Sequence, residues 1–346
     1  MDNRCARVWA RGSFLFRMLL LLTAFFAHAV RGAEEETAVD LHEIFAGAVP
    51  VNSGDLLAMQ THLQALSEKV VPATVAVQVG PAQGSGVIIS ADGYVLTAAH
   101  VIMRPHQRAT LVLHDGRRVA AETLGVYRTV DAGLMKITTQ PRELDRDAWP
   151  YVEMGDSQSI KPGQWCLATG HPGGIQSTGE PVVRFGRVLS VNHESAINTD
   201  CTLIGGDSGG PLFDMDGNVV GVHSRIGGSL TLNLHVPVEI YRTAWERLEV
   251  GDAWGYVPGN RPYLGVQGEV GATGAKVAQV RPGTPAEKAG VEVGDVITKL
   301  AGKEVTDFES LKMLVEAHEP GQKVELVLLR GNRRIQVDVI IGRQRD

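Results

Sequence analysis

From Thr74 onward the apolar residues come in short runs and not in helical stripes. "TVAVQVG", "GVIISADGYVLTAAHV", "ATLVLHDGRRVAAETLGVY", "AGLMKI" and "NVVGVHS" are rich in valine, isoleucine and leucine. Asp92-Gly93, Asp115-Gly116 and Asp216-Gly217 interrupt them. Asp-Gly between apolar runs is a strong short-range hairpin signal. Between about residues 73 and 240, strand follows strand with almost no helical period, which predicts a barrel or a sandwich. A double barrel fits that length, and the cleft between its halves can draw site residues from both.

Two other stretches carry a helical period. From Asp55 to Val70 the apolar positions Leu56, Met59, Leu63, Leu66 and Val70 recur at spacings of three and four, one face of a helix. Pro72 ends it. Residues 34–54 before it show no period and read as an arm, so 34–70 is an arm plus an amphipathic helix. "EVGDAWGYVPGNRP", 249–262, is aperiodic and rich in glycine and proline, and reads as a linker. The strand-rich part, 71–248, thus precedes a smaller α+β unit at 263–346. That unit should hold strands near Tyr263–Val266, Ala275–Val280, Val296–Leu300, Val324–Arg330 and Ile335–Ile341. A short helix is expected near Pro285–Ala289 and a longer one over Asp307–His318. Asp307 suits the N-cap of the longer one, and Phe308, Leu311, Leu314 and Val315 share its face.

The amino terminus changes the compartment. Arg4, Arg7, Arg11 and Arg17 lead into the apolar run Met18–Val30, and Ala27-His28-Ala29 offers a small-x-small cleavage site. Residues 1–33 therefore read as an export signal. The run is shorter than the ~20 residues a spanning helix needs, although Phe14–Phe16 could lengthen it into an uncleaved anchor. Either way the folded part lies outside the cytoplasm. Cys166 and Cys201 remain after cleavage, as a disulfide pair in an oxidising compartment or as two buried thiols. The net charge of −6 is well mixed and shows no basic stripe, which argues against nucleic acid as a partner.

"GGDSGGPLF", 205–213, presents one serine, Ser208, in a glycine-rich turn. A serine hydroxyl becomes a nucleophile only beside a base whose tautomer is fixed by a third group. Among eleven histidines the best placed is His100, directly after an apolar strand and among Thr97, Ala98 and Ala99. His106, His114 and His193 read as surface or core residues. Asp131, at the mouth of "AGLMKI", is the best carboxylate; Asp92 and Asp115 precede turn glycines, and Asp145 and Asp147 lie in a polar loop. The N–H groups of Gly206 and Ser208, joined by that of Asp207, are the candidate oxyanion hole. One such donor is worth about 3–4 kcal/mol.

"TAAH", "DAGLMKI" and "GDSGGPL", in the order His, Asp, Ser, resemble the chymotrypsin-type serine proteases. Within that clan, Gly84–Val101 and Asn198–Val222 are similar to the HtrA/Deg family around its catalytic histidine and serine. "YLGV" (Tyr263–Val266) and Val280–Val305 resemble a PDZ domain. The resemblance covers residues 60 to 345 and implies a mainly β fold: a chymotrypsin-like double β-barrel followed by a small α+β PDZ domain. It implies His100, Asp131 and Ser208 as catalytic triad, no metal or cofactor, and trimers built through the protease domain with the arm before residue 70. One departure stands out. The family usually has asparagine where this chain has Asp207. The aspartate resembles the digestive enzymes, in which it pairs with a newly cut amino terminus. The segment His171–Asn192 is also too short for the long regulatory insertion of some members.

The resemblance places the specificity pocket at Thr202, Leu203, Val222, His223 and Ser224, a neutral and partly apolar lining for small or medium apolar side chains. Asp200 would favour basic ones if it faced inward. In the PDZ domain, Tyr263, Leu264, Gly265 and Val266 form the carboxylate-binding loop, and Leu311 and Val315 line the side-chain pocket. The expected function is an exported, ATP-independent serine endopeptidase. It would act on unfolded or damaged envelope proteins in the periplasm, with C-terminal peptides bound at the PDZ groove. Two alternatives stay open: a chaperone or scaffold with little proteolysis, and a regulatory protease activated by a peptide.

Overall fold

Strand pairing closes the chain on itself twice before a third, open sheet begins. The computed structural model describes residues 40–175, 178–269 and 274–344. The expected signal, 1–33, and the start of the arm lie outside the described residues. No helix among the described residues is long and apolar enough to cross a membrane.

Contacts divide the chain after Leu63. In the first part, α1 (Leu41–Ala46) starts where the Asp40 side chain accepts the His42 N–H at 3.1 Å. The aperiodic arm therefore contains a helix, set by its cap and too short to show a repeat. In α2 (Ser53–Val70), Leu56 is 57% exposed whereas Met59, Leu66 and Val70 are buried. The expected apolar face fails at its first position. There the inward place is taken by Asp55, whose carboxylate accepts the Val51 N–H at 2.9 Å.

The second part opens with six strands: β1 (Thr74–Val79), β2 (Ala82–Ile88), β3 (Tyr94–Ala98), β4 (Arg108–Val112), β5 (Arg118–Tyr127) and β6 (Ala132–Ile137). They pair in the order β5-β4-β1-β2-β3-β6, and β5 also pairs with β6 to close the ring. Ile88, Leu111, Met135 and Trp149 fill it. A one-turn helix, α3 (Ala99–Ile102), leaves the end of β3. The second barrel runs β7 (Trp165–Gly170), β8 (Val182–Asn192), β9 (Ala196–Thr199), β12 (Asn233–Pro237), β11 (Val219–Ile226) and β10 (Pro211–Phe213), and returns to β7. Its core includes Cys166, Val188, Ile197, Leu212 and Val220. The sulfurs of Cys166 and Cys201 lie 3.8 Å apart as buried free thiols.

Helices α4 (Val238–Thr243) and α5 (Trp245–Glu249) follow. The segment read as a linker is not free. Within it β13 (Ala253–Trp254) pairs in parallel with β5, and Trp254 stacks on Tyr127 with centroids 4.7 Å apart. A two-residue strand has no period to reveal it. The last unit pairs β14 (Pro262–Tyr263) with β21 (Gly342–Arg343). It also builds a sheet from β15 (Val266–Gly268), β16 (Ala275–Val280), β17 (Val296–Leu300), β19 (Lys323–Arg330) and β20 (Arg333–Ile340), with β18 (Lys303–Glu304) beside β17. α6 (Pro285–Lys288) and α7 (Phe308–Glu316) cover a core of Ile297, Leu300, Leu311 and Leu326. Asp307 caps α7, accepting the Ser310 N–H at 2.7 Å.

Candidate active site

His100 is carried on α3, at the rim of the first barrel. Asp131 precedes β6 in the left-handed region, φ +66°, which an aspartate tolerates better than most side chains. That turn aims its carboxylate back at His100. Asp131 Oδ1 accepts the His100 backbone N–H at 3.0 Å, and Oδ2 lies 2.9 Å from His100 Nδ1. The Asp131 carbonyl accepts the Ala99 N–H at 3.1 Å. With Nδ1–H given to the carboxylate, Nε2 is left with its lone pair free to take a proton. Ser224, on β11 of the other barrel, donates its hydroxyl to Asp131 Oδ2 at 2.5 Å. Tyr241, whose hydroxyl donates to the Thr97 carbonyl at 2.7 Å, is fully buried. Burial, with the Asp131 charge nearby, raises its pKa well above the usual range.

Ser208 sits at a turn fastened from three directions. Its carbonyl accepts the Ser85 N–H at 2.7 Å, while Ser85 Oγ donates to the Gly206 carbonyl at 2.9 Å. Ser85 Oγ also accepts the His171 N–H at 2.9 Å. On the far side, the Gly209 N–H donates to His223 O and the His223 N–H to Gly210 O, both at 2.7 Å. Gly206 has φ +103°, and a Cβ there would come within 2.4 Å of the His171 carbonyl. Only glycine fits that backbone. Among the described residues the N–H groups of Gly206 and Ser208 have no hydrogen-bond partner. The Asp207 N–H, the third expected oxyanion donor, is instead spent on the Ile204 carbonyl at 3.0 Å, because the turn closes there. The Asp207 side chain is fully buried and paired with Arg184, Nη2 to Oδ2 at 3.0 Å. Burial pushes its carboxyl above the usual range, against the pull of the Ile204 N–H and Arg184.

His100, Asp131 and Ser208 line one cleft of about 1000 Å³. Leu203, Ile204 and Ile226 give it an apolar flank; Ser224 and part of the buried His223 also line it. Thr202 and Val222, expected in the pocket, are not among its lining: Thr202 lies exposed on the loop, and Val222 is fully buried in β11. Asp200 is turned away, accepting the Arg187 N–H at 2.6 Å. His223 faces inward to a second buried histidine, Nδ1 to His235 Nδ1 at 2.9 Å, with His223 Nε2 on the Thr169 carbonyl and His235 Nε2 by Thr199 Oγ1. Burial lowers the pKa of both, His235 to about 3.

A separate cavity of about 390 Å³ in the last unit is lined by all six residues expected to bind a chain end: Tyr263, Leu264, Gly265, Val266, Leu311 and Val315. Gly265 has φ +87°. Among the described residues the N–H groups of Leu264 and Gly265 have no partner.

Ser85, Ser224 and Arg184 bear on the site in ways the sequence reading missed. Ser85 stands between two glycines in β2, and Arg184 between Val183 and Phe185 in β8. No local signal marks either: β2 also carries Gln83 and two glycines, and β8 also carries Arg187, Ser190 and Asn192. Ser224, expected in the pocket wall, lines the cleft, and its hydroxyl in addition holds Asp131.

Residues 84–222 match the trypsin-like peptidase domain and residues 262–341 the PDZ domain. The chain is 31% identical to a probable periplasmic serine endoprotease DegP-like of Halomonas elongata, over 88% of this chain and 63% of the relative. It is 36% identical to a protein of the same description from Ectopseudomonas mendocina, over 75% and 56%. To the periplasmic pH-dependent serine endoprotease DegQ of Escherichia coli (strain K12) it is 34% identical, over 75% and 59%. It therefore spans between 56% and 63% of the length of these relatives. A solved structure, HtrA-type protease AlgW with tripeptide, matches at 27% identity over 82% of this chain and 97% of its own, with a TM-score of 0.49. On these matches, the chain carries a trypsin-like peptidase domain followed by a PDZ domain, and it is similar to serine endoproteases of the DegP and DegQ type.

Proposed function

We propose that this chain is an exported serine endopeptidase that cleaves unfolded or damaged proteins through an acyl-enzyme. The observation that carries the reading is the convergence of His100, Asp131 and Ser208 on one cleft, beside two unpaired N–H groups. His100 Nε2 takes the Ser208 proton as the oxygen attacks the scissile carbonyl, then returns it to the leaving amine. Asp131 orients the imidazole and stabilises its cation. The Gly206 and Ser208 N–H groups receive the developing oxyanion, and water then releases the acyl group.

The apolar flank of Leu203, Ile204 and Ile226 favours small or medium apolar side chains before the cut. The groove beside Leu264 and Gly265 takes chain ends, whose terminal carboxylate accepts those two N–H groups. Work in the periplasm, a trimer built through the peptidase domain, and either a cleaved signal or a membrane anchor complete the proposal. Labelling by a fluorophosphonate tests it. Wild type should label rapidly and Ser208→Ala not at all; equal labelling would leave a chaperone or scaffold that holds chains without cutting. Casein cleavage that starts only when a C-terminal peptide is added would instead mark a peptide-activated regulatory protease.

A further inference from the structure

Asp207 is a carboxylate shut off from solvent, one residue before the candidate nucleophile. A buried charge persists only if it is paired and hydrogen-bonded, so its partners decide where this stretch of chain rests. Ile204 donates its N–H to Oδ2 at 2.7 Å. Arg184 contacts both oxygens, Nη2 to Oδ2 at 3.0 Å and Nη1 to Oδ1 at 3.3 Å, a forked contact that fixes orientation as well as charge.

Arg184 is delivered by the barrel wall and not by a loop. It stands in β8 opposite Ala168 of β7, and its side chain is 15% exposed. The space for the carboxylate is cut to size at Gly170, where a Cβ would come within 2.6 Å of Asp207 Oδ1. The main chain of Asp207 is fixed as well, its N–H on Ile204 O at 3.0 Å and its carbonyl under the Gly210 N–H at 2.8 Å. Among the described residues the N–H groups of its immediate neighbours, Gly206 and Ser208, have no partner.

We propose that Arg184 is a positioning residue for the hydrolytic reaction. Its guanidinium holds the Asp207 carboxylate in place from the barrel, and Asp207 in turn fixes the direction of the Gly206 and Ser208 N–H groups that receive the oxyanion. This rests on the peptidase reading above.

A double-mutant cycle on the full chain tests it, with Arg184→Gln, Asp207→Asn and the pair combined. The readouts are kcat and KM on a peptide substrate, the fluorophosphonate labelling rate, and a thermal melt. Loss of one oxyanion donor sets the scale, so Arg184→Gln should lower kcat and labelling about 100-fold with KM little changed. In the presence of Asp207→Asn the same substitution should change kcat by less than about 3-fold, since the charge it serves is gone. Arg184→Lys should restore part of the loss, keeping the charge but not the fork. Equal effects in both backgrounds, or none in a folded Arg184→Gln, overturn the proposal. Should Arg184→Gln fail to fold, the double variant against Asp207→Asn decides: a ratio near one supports it and a large one overturns it. Wild type that labels no faster than Ser208→Ala removes the reaction itself, and this inference with it.

Discussion

The hydroxyl of Ser85, on the first barrel, donates to the carbonyl of Gly206, in the serine turn of the second, at 2.9 Å. Its N–H also donates to the Ser208 carbonyl, and its oxygen accepts the His171 N–H. One side chain and one amide thus join both barrels beneath the candidate nucleophile. Ser85→Ala strands the Gly206 carbonyl and the His171 N–H in a dry place, at a cost of about 1–3 kcal/mol. We expect a lower melting temperature and a kcat reduced by about tenfold, read by calorimetry and by turnover on the same sample. An unchanged kcat would remove Ser85 from the site.

Ser224 should act on rate and not on specificity. Its hydroxyl ends on Asp131 Oδ2, so Ser224→Ala loosens the carboxylate that orients His100. Turnover should fall about tenfold, less than the roughly 10²–10⁴-fold that general-base catalysis as a whole supplies, with KM nearly constant. Thr202→Ala, on the exposed loop outside the cleft, should leave substrate preference as it was. An altered preference in Thr202→Ala would return Thr202 to the pocket wall, and an unchanged kcat in Ser224→Ala would remove Ser224 from the orientation of His100.

Acid should weaken the fold through the buried histidine pair. His223 and His235 are neutral when folded, His235 with its pKa lowered to about 3, whereas an unfolded histidine titrates near about 6.5. Above that unfolded value neither state binds the protons, and this pair contributes no pH dependence. Below it the unfolded chain takes up protons that the fold refuses, so stability falls with pH, by up to about 1.4 kcal/mol per unit for each histidine, down to the folded pKa. Chemical denaturation from pH 8 to 4 should trace that loss, and His235→Gln should shrink the slope. The same slope in the variant would place the acid sensitivity elsewhere.

Chain-end capture should fail at Gly265. Its φ of +87° and the Thr284 side chain 2.3 Å from where a Cβ would stand exclude any side chain. Gly265→Ala should cut the affinity for a C-terminal peptide at least tenfold in a fluorescence anisotropy titration, while fluorophosphonate labelling of Ser208 continues. Undiminished peptide binding would move the groove away from Leu264 and Gly265.

The sequence carried what local chemistry can write. Asp-Gly pairs punctuate strands because each needs a tight turn, and Asp307 before Phe308 marks a helix start because its carboxylate meets an unpaired N–H. The contacts that fasten the site join residues far apart: Ser85 to Gly206, Asp131 to Ser224, Asp207 to Arg184. No period or spacing encodes them, since each depends on two barrels or two strands meeting at one register. Trp254 escaped for the opposite reason, its strand being too short to leave a pattern. Leu56 misled because helical spacing gives a stripe but not which end of it a buried cap residue will displace.

The pairing of β13 with β5 has a mechanical consequence. Trp254 is paired and Tyr256 hydrogen-bonded to the first barrel, and Pro262 is paired in the PDZ unit, so only residues 257–261, five in all, are left between them. Even fully stretched, that leash spans about 21 Å. Under the proposed chain-end capture, a polypeptide held in the groove would be confined to a small volume around the cleft, at a millimolar effective concentration for so short a tether. A weak grip on the chain end would then be enough, and release would cost little once the proposed cleavage had shortened the chain.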